Sequence, residues 1–96
     1  MVLTVLEAHV DPQNTPALQA AFAEGIRALD PGITQTFLVQ SSSDPTLWRI
    51  LTFWESRKAL DLMRAAGGAP RGVLMFRAAG AQPSLTIFDV SDHASA

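Results

Sequence analysis

The octapeptide Leu47–Trp54, LWRILTFW, most constrains what this chain can become. In a strand, successive side chains point to opposite faces of the sheet. Trp48, Ile50 and Trp54 therefore share one face, and Leu47, Leu51 and Phe53 share the other with Arg49. A sheet with one face in water shows a clean apolar/polar alternation, which this segment lacks, so both of its faces call for a covering layer. With 96 residues the chain has room for a single core, and its own helices can cover only one face. The simplest supplier of the second layer is another copy of the chain, packed sheet to sheet. At 48% hydrophobic against 17% charged residues, the composition leaves spare apolar area for such a contact. A chain this short buries only about two thirds of the surface its unfolded form exposes, so a partner subunit would add stability.

Charge and thiol content exclude several classes of function. Seven basic and nine acidic residues are scattered without runs, giving a net charge of −2 that offers nothing to nucleic acid. Without cysteine there are no disulfides, thiolate metal ligands or cysteine nucleophile. The N-terminal MVLTVLEAHV has neither a basic n-region nor a small-residue cleavage site, and no apolar run approaches the ~20 residues that span a bilayer. The expectation is a cytoplasmic protein with no membrane partner.

Residues 2–10 read as a strand that stops at Asp11-Pro12, where proline cannot donate to a ladder. Thr15 before Pro16 suits a helix start, and Leu18, Phe22, Ile26 and Leu29 recur at spacings of three and four, which predicts a helix over 16–29. Asp30-Pro31-Gly32 ends it. Strands over Ile33–Gln40 and Leu47–Trp54 follow as antiparallel neighbours, joined by a small, polar, proline-containing hairpin loop. Ser56 offers an N-cap, and Ala59, Leu60 and Met63 form the stripe of a helix over 57–66 that Gly67-Gly68 closes. The apolar run Val73 to Phe76 fits strand or helix, with Pro70 and Gly80 favouring a short helix over 70–79. A last strand over 84–90 completes a domain of residues 1–90, and residues 91–96 form a polar tail expected to be mobile. The order βαββαβ with right-handed crossovers defines an α+β, ferredoxin-like fold: a four-stranded antiparallel sheet with both main helices on one face.

The junction Leu51-Thr52-Phe53-Trp54-Glu55-Ser56, followed by Ala59-Leu60, resembles the strand-to-helix junction of antibiotic-biosynthesis monooxygenase domains, and the element order is similar over nearly the whole chain. The resemblance implies a dimeric α/β barrel with sheets back to back and a pocket in each subunit between sheet and helices. It also implies, for some members, oxidation of polycyclic phenols by molecular oxygen without metal or flavin, and for others haem degradation. The haem-degrading branch carries a tryptophan on the second helix and a histidine about ten residues later. Met63 and Val73 occupy those positions here, so the expectation is that haem is not the substrate.

Glu7 and His9 share a face of the first strand, and the fold sets that strand beside the third, within reach of Arg49. An acid, an imidazole and a guanidinium converging in an apolar cavity would suit proton abstraction from a phenol and stabilisation of the phenolate. The competing structural reading makes them interface or strand-end residues held by ordinary hydrogen bonds. Trp48 and Trp54 could stack on an aromatic substrate, and Met63, Met75 and Phe76 could line an adaptable pocket; all five also suit a packed core. His9 and His93 do not make a metal site, and Gly67-Gly68 and Gly72 lack the lysine and strand-to-helix context of a phosphate loop, so no cofactor is expected. The leading expectation is a homodimeric, cofactor-independent monooxygenase-like protein acting on a small aromatic or quinol-type compound. A non-catalytic dimeric domain binding a small apolar ligand, or an isomerase on the same barrel, are the alternatives.

Overall fold

A computed structural model describes all 96 residues. The elements are β1 (Val2–His9), a 3-10 turn (Pro12–Asn14), α1 (Thr15–Gly25), β2 (Ile33–Gln40), β3 (Leu47–Trp54), α2 (Arg57–Ala65), α3 (Arg71–Ala78) and β4 (Ser84–Asp89). They form one antiparallel sheet in the order β2-β3-β1-β4, the α+β, ferredoxin-like arrangement expected. Residues 91–96 carry no regular structure and are exposed, and no helix is long and apolar enough to cross a membrane.

Registration follows the period of two. Val2, Thr4, Leu6 and Ala8 of β1 are buried, as are Trp48, Ile50 and Trp54 of β3, and pairing sets Leu6 opposite Ile50 and Ala8 opposite Trp48. This is the face the helices cover. On it the core divides in two: Leu6, Val10, Leu18, Trp48, Ile50 and Phe76 belong to one cluster, and Val2, Trp54 and Leu60 form the other. The opposite face stays open, with Phe37 and Phe88 45% and 49% exposed and the Phe37 ring edge-on to Phe53 at 6.5 Å.

Helix ends are set by local chemistry. Ser56 Oγ accepts a hydrogen bond from the Ala59 amide at 3.1 Å, as its position predicts, and Gly67 and Gly68 leave α2 with φ of 81° and 75°. The start of α1 differs from expectation. Asp11 caps a 3-10 turn by accepting from the Gln13 amide, and Asn14, not Thr15, precedes the helix. The same helix stops at Gly25 instead of Leu29. Glycine is a poor helix former, Pro31 disfavours helical backbone at Asp30, and Ile26 and Leu29 are only partly covered. Residues 71–78 are helical, which settles the ambiguous run. The remaining boundary differences, at Val10, Ala66, Pro70, Ala79 and Val90, are one-residue differences of the kind expected at element ends.

The two tryptophans differ in how their polar atoms are satisfied. Trp54 Nε1 donates to Thr4 Oγ1 at 3.1 Å, and the same hydroxyl donates to the Thr52 carbonyl. Trp48 Nε1 is buried with no partner. An unmade buried hydrogen bond costs about 1–3 kcal/mol, whereas a made one contributes about 1 kcal/mol net. Trp48→Phe is therefore expected to be close to neutral in urea unfolding, with the lost packing area offset by removal of the orphan donor. Trp54→Phe should lose about 1 kcal/mol more for its hydrogen bond. A larger loss in Trp48→Phe than in Trp54→Phe would mean that the Trp48 indole has a partner.

Candidate functional site

A cavity of about 100 Å³ lies between the sheet and the three helices. It is bounded by members of both core clusters, with Leu6, Ile50 and Met75 on one side and Trp54, Leu60 and Met63 on the other. Two glycines bring the helices close. A Cβ on Gly72 would sit 2.6 Å from Leu6 Cδ1, so α3 begins nearly in contact with the sheet. A Cβ on Gly25 would overlap the Met75 methyl, which rests against the end of α1.

Polar groups in this lining are few. Thr4, Thr36 and Thr52 present hydroxyls from three adjacent strands on the sheet floor, and the Thr36 and Thr52 oxygens are 3.0 Å apart. Asp30 and Arg71 also contribute to the wall, with Arg71 Nε 3.6 Å from Asp30 Oδ1 and the same guanidinium donating to the Ala28 carbonyl. These contacts tie the segment between α1 and β2 to the first turn of α3. An outer groove of about 670 Å³ shares Asp30, Met63, Pro70 and Arg71 with the cavity.

The sequence-derived candidates divide between the two faces of the sheet. Trp54, Met63 and Met75 line the cavity. Trp48 and Phe76 do not; both are buried in the larger core cluster. Glu7 and Arg49 are register partners and form an ion pair, as their adjacent strands predict. His9 Nδ1 lies 2.9 Å from Thr46 Oγ1 and 3.7 Å from Asp44 Oδ2. The expectation that these three converge in the cavity is corrected. They occupy the odd positions of β1 and β3, whereas the even positions face the helices, so they point to the open face. Sequence reasoning missed Thr4, Thr36, Thr52, Asp30 and Arg71. One signal was available for Thr52: it interrupts an otherwise apolar even face, Trp48, Ile50, Thr52, Trp54.

A split βαβ sheet with helices over one face and a mostly apolar cavity beneath them defines a ferredoxin-like α+β domain. Residues 1–67 match the family model described as antibiotic biosynthesis monooxygenase, and the chain belongs to that family. No protein of curated function matches the sequence. Among solved structures, it is similar to a candidate antibiotic biosynthesis monooxygenase of Deinococcus radiodurans, at TM-score 0.78 and 12% identity over 100% of this chain and 98% of that one. A single-residue variant of SnoaB, a cofactor-independent oxygenase from Streptomyces nogalater, aligns at TM-score 0.72 and 16% identity over 96% and 94% of the two chains. Rv0793 from Mycobacterium tuberculosis aligns at TM-score 0.68 and 22% identity over 99% and 100%. At these identities the likeness is one of fold.

The loop beside His9 makes a pH prediction. The Asp44 carboxylate accepts from Thr46 Oγ1 at 2.7 Å and from the Thr46 amide at 3.0 Å, and these bonds hold its pKa below the ordinary 3.8. The charge of nearby His9 lowers it further, and desolvation opposes the shift. A carboxylate depressed in the folded state contributes stability above its unfolded pKa, and that contribution is lost as pH falls through the folded one. An NMR titration should place the Asp44 midpoint below 3.8, with Thr46→Val moving it upward. A midpoint unmoved by that substitution would show the hydroxyl bond to be absent in solution.

Proposed function

We propose that this protein is a cofactor-independent monooxygenase that oxidises a small aromatic or quinol-type compound inside the cavity, and that it works as a homodimer joined through the open sheet face. The observation that carries the proposal is the cavity itself: a mostly apolar hole beneath the helices, with a few convergent hydroxyls, in a chain of the monooxygenase family. SnoaB, to which the fold is similar, is a cofactor-independent oxygenase, which supports the same reaction class.

Such a reaction balances on substrate and dioxygen alone. A hydroquinone and O₂ give a hydroxyquinone and water: one oxygen atom enters the ring, the other leaves with two hydrogens, and the ring supplies the electrons. An electron-rich ring has to be deprotonated at oxygen and shielded from bulk water for this step, and an apolar enclosure serves the second need. Apart from the Asp30–Arg71 pair and Arg64, the cavity lining carries no ionisable side chain. That observation favours a second reading, a domain that binds an aromatic compound without transforming it.

Support for the dimer comes from the open face. Leu3, Val5, Phe37, Leu51, Phe53 and Phe88 make it apolar across all four strands, with Glu7 and Arg49 paired among them. Contiguous apolar surface of this kind marks an interaction site. Sedimentation at micromolar concentration should give the dimer mass, and Leu51→Asp should give a folded monomer. A monomeric native chain would remove the dimer from the proposal.

Activity is read as oxygen uptake with a panel of substituted hydroquinones. The native chain should consume oxygen above the buffer rate with at least one of them. His9→Ala should keep uptake within about twofold, because the imidazole is on the far side of the sheet. Binding of ring compounds without any uptake would leave the non-catalytic reading in place; a large loss in His9→Ala would return that residue to the reaction.

A further inference from the structure

Counting hydroxyl protons on the cavity floor leaves one unspent. Thr4 Oγ1 accepts from Trp54 Nε1 and donates to the Thr52 carbonyl, so its proton is used. Thr36 and Thr52 bring two further hydroxyl protons to a single hydrogen bond 3.0 Å long. Whichever of the two donates, the other keeps an O–H with no acceptor in the protein, and both residues line the cavity. A half-buried hydroxyl donor facing an apolar space suits an oxygen brought by a ligand.

Size limits the ligand further. An apolar cavity of about 150 Å³ accepts benzene. The cavity here is about 100 Å³, so one ring fills it, and only with a small yielding of the wall. Met63 and Met75 can provide that yielding, since a methionine side chain has three rotatable bonds and no branch. A second fused ring needs further room, and displacing Met75 from its seat against Gly25 would provide it.

We infer that the Thr36–Thr52 hydroxyl pair is the polar anchor of the cavity, holding the oxygen of a ligand with a single aromatic ring, a phenol or hydroquinone, and that Met75 against Gly25 sets this one-ring limit. The inference rests on the cavity being the ligand site, and it adds both the anchoring atoms and the size class.

Phenol and toluene have nearly the same shape and differ in the group that would meet the threonines. Titration calorimetry of both with the full chain, and with Thr36→Val, Thr52→Val and the double variant, tests the anchor. Valine keeps the β-branched shape, so the strands and the toluene affinity should be retained. Each single variant leaves one hydroxyl whose proton is free, and should keep most of the preference for phenol. The double variant should lower the phenol-to-toluene affinity ratio about tenfold, the worth of one hydrogen bond to a half-buried donor. An unchanged ratio in the double variant, with toluene still bound, overturns the anchor while the cavity remains a ligand site. If neither compound binds the native chain, the cavity reading falls as well. For size, 1-naphthol should bind the native chain at least tenfold more weakly than phenol and gain affinity in Met75→Ala; equal native affinity for the two would overturn the one-ring limit.

Discussion

Burial of β3 on the helix side is the constraint on which the other elements depend. The strand is hydrogen-bonded on both edges, to β2 and to β1, and its even side chains Trp48, Ile50 and Trp54 reach both core clusters. Because side chains alternate, placing those three inward also places Thr52 inward beside Thr36, and sends Arg49 outward to Glu7. A slip of one residue would bury a guanidinium and expose both indoles. The chemistry available on each face is therefore a consequence of one register, fixed by two large aromatics.

The cavity follows from how three short helices are distributed over that face. Gly72 and Gly25 allow close approach at α3 and at the end of α1, and Leu60 closes α2 against Trp54 and Val2. Between these contacts the sheet carries threonines where larger apolar side chains would have filled the space. Unfilled volume of this size is costly: at roughly 24 cal/mol per Å³ it amounts to something on the order of 2 kcal/mol. For a domain whose whole stability is expected to be about 5–15 kcal/mol, that is a large sacrifice, and occupation by a ligand would recover it.

Much of the fold was legible because its signals are local. Asp11-Pro12, the loop before Leu47, Ser56 and Gly67-Gly68 each act on their own backbone, and the strands and helices fall where these residues place them. The site was harder to read, for two physical reasons. Periodicity tells which residues share a face but not which face the helices take, so the meeting of Glu7 with Arg49 was predictable while their side of the sheet was not. Asp30 and Arg71 are far apart in the chain and meet only once α3 has docked. Trp54 and Met63 were identified because large or flexible apolar side chains suit a cavity wall; Trp48 and Phe76 satisfy the same criterion and are core.

The Glu7–Arg49 pair bears on what the open face can do. An ion pair among apolar side chains contributes little affinity, since desolvating both charges offsets their attraction. Its effect is on specificity. Any surface laid over this face has to leave the pair intact or supply its own partners, because removing one partner of a buried pair costs several kcal/mol. A second copy presents the same pair related by a two-fold axis, so a self-complementary contact meets that condition without a new charge. An unrelated apolar surface would leave the pair intact but supply no partner for the charges it desolvates. The two residues that suggested acid–base chemistry thus pair with each other on the face opposite the cavity, and neither belongs to its lining.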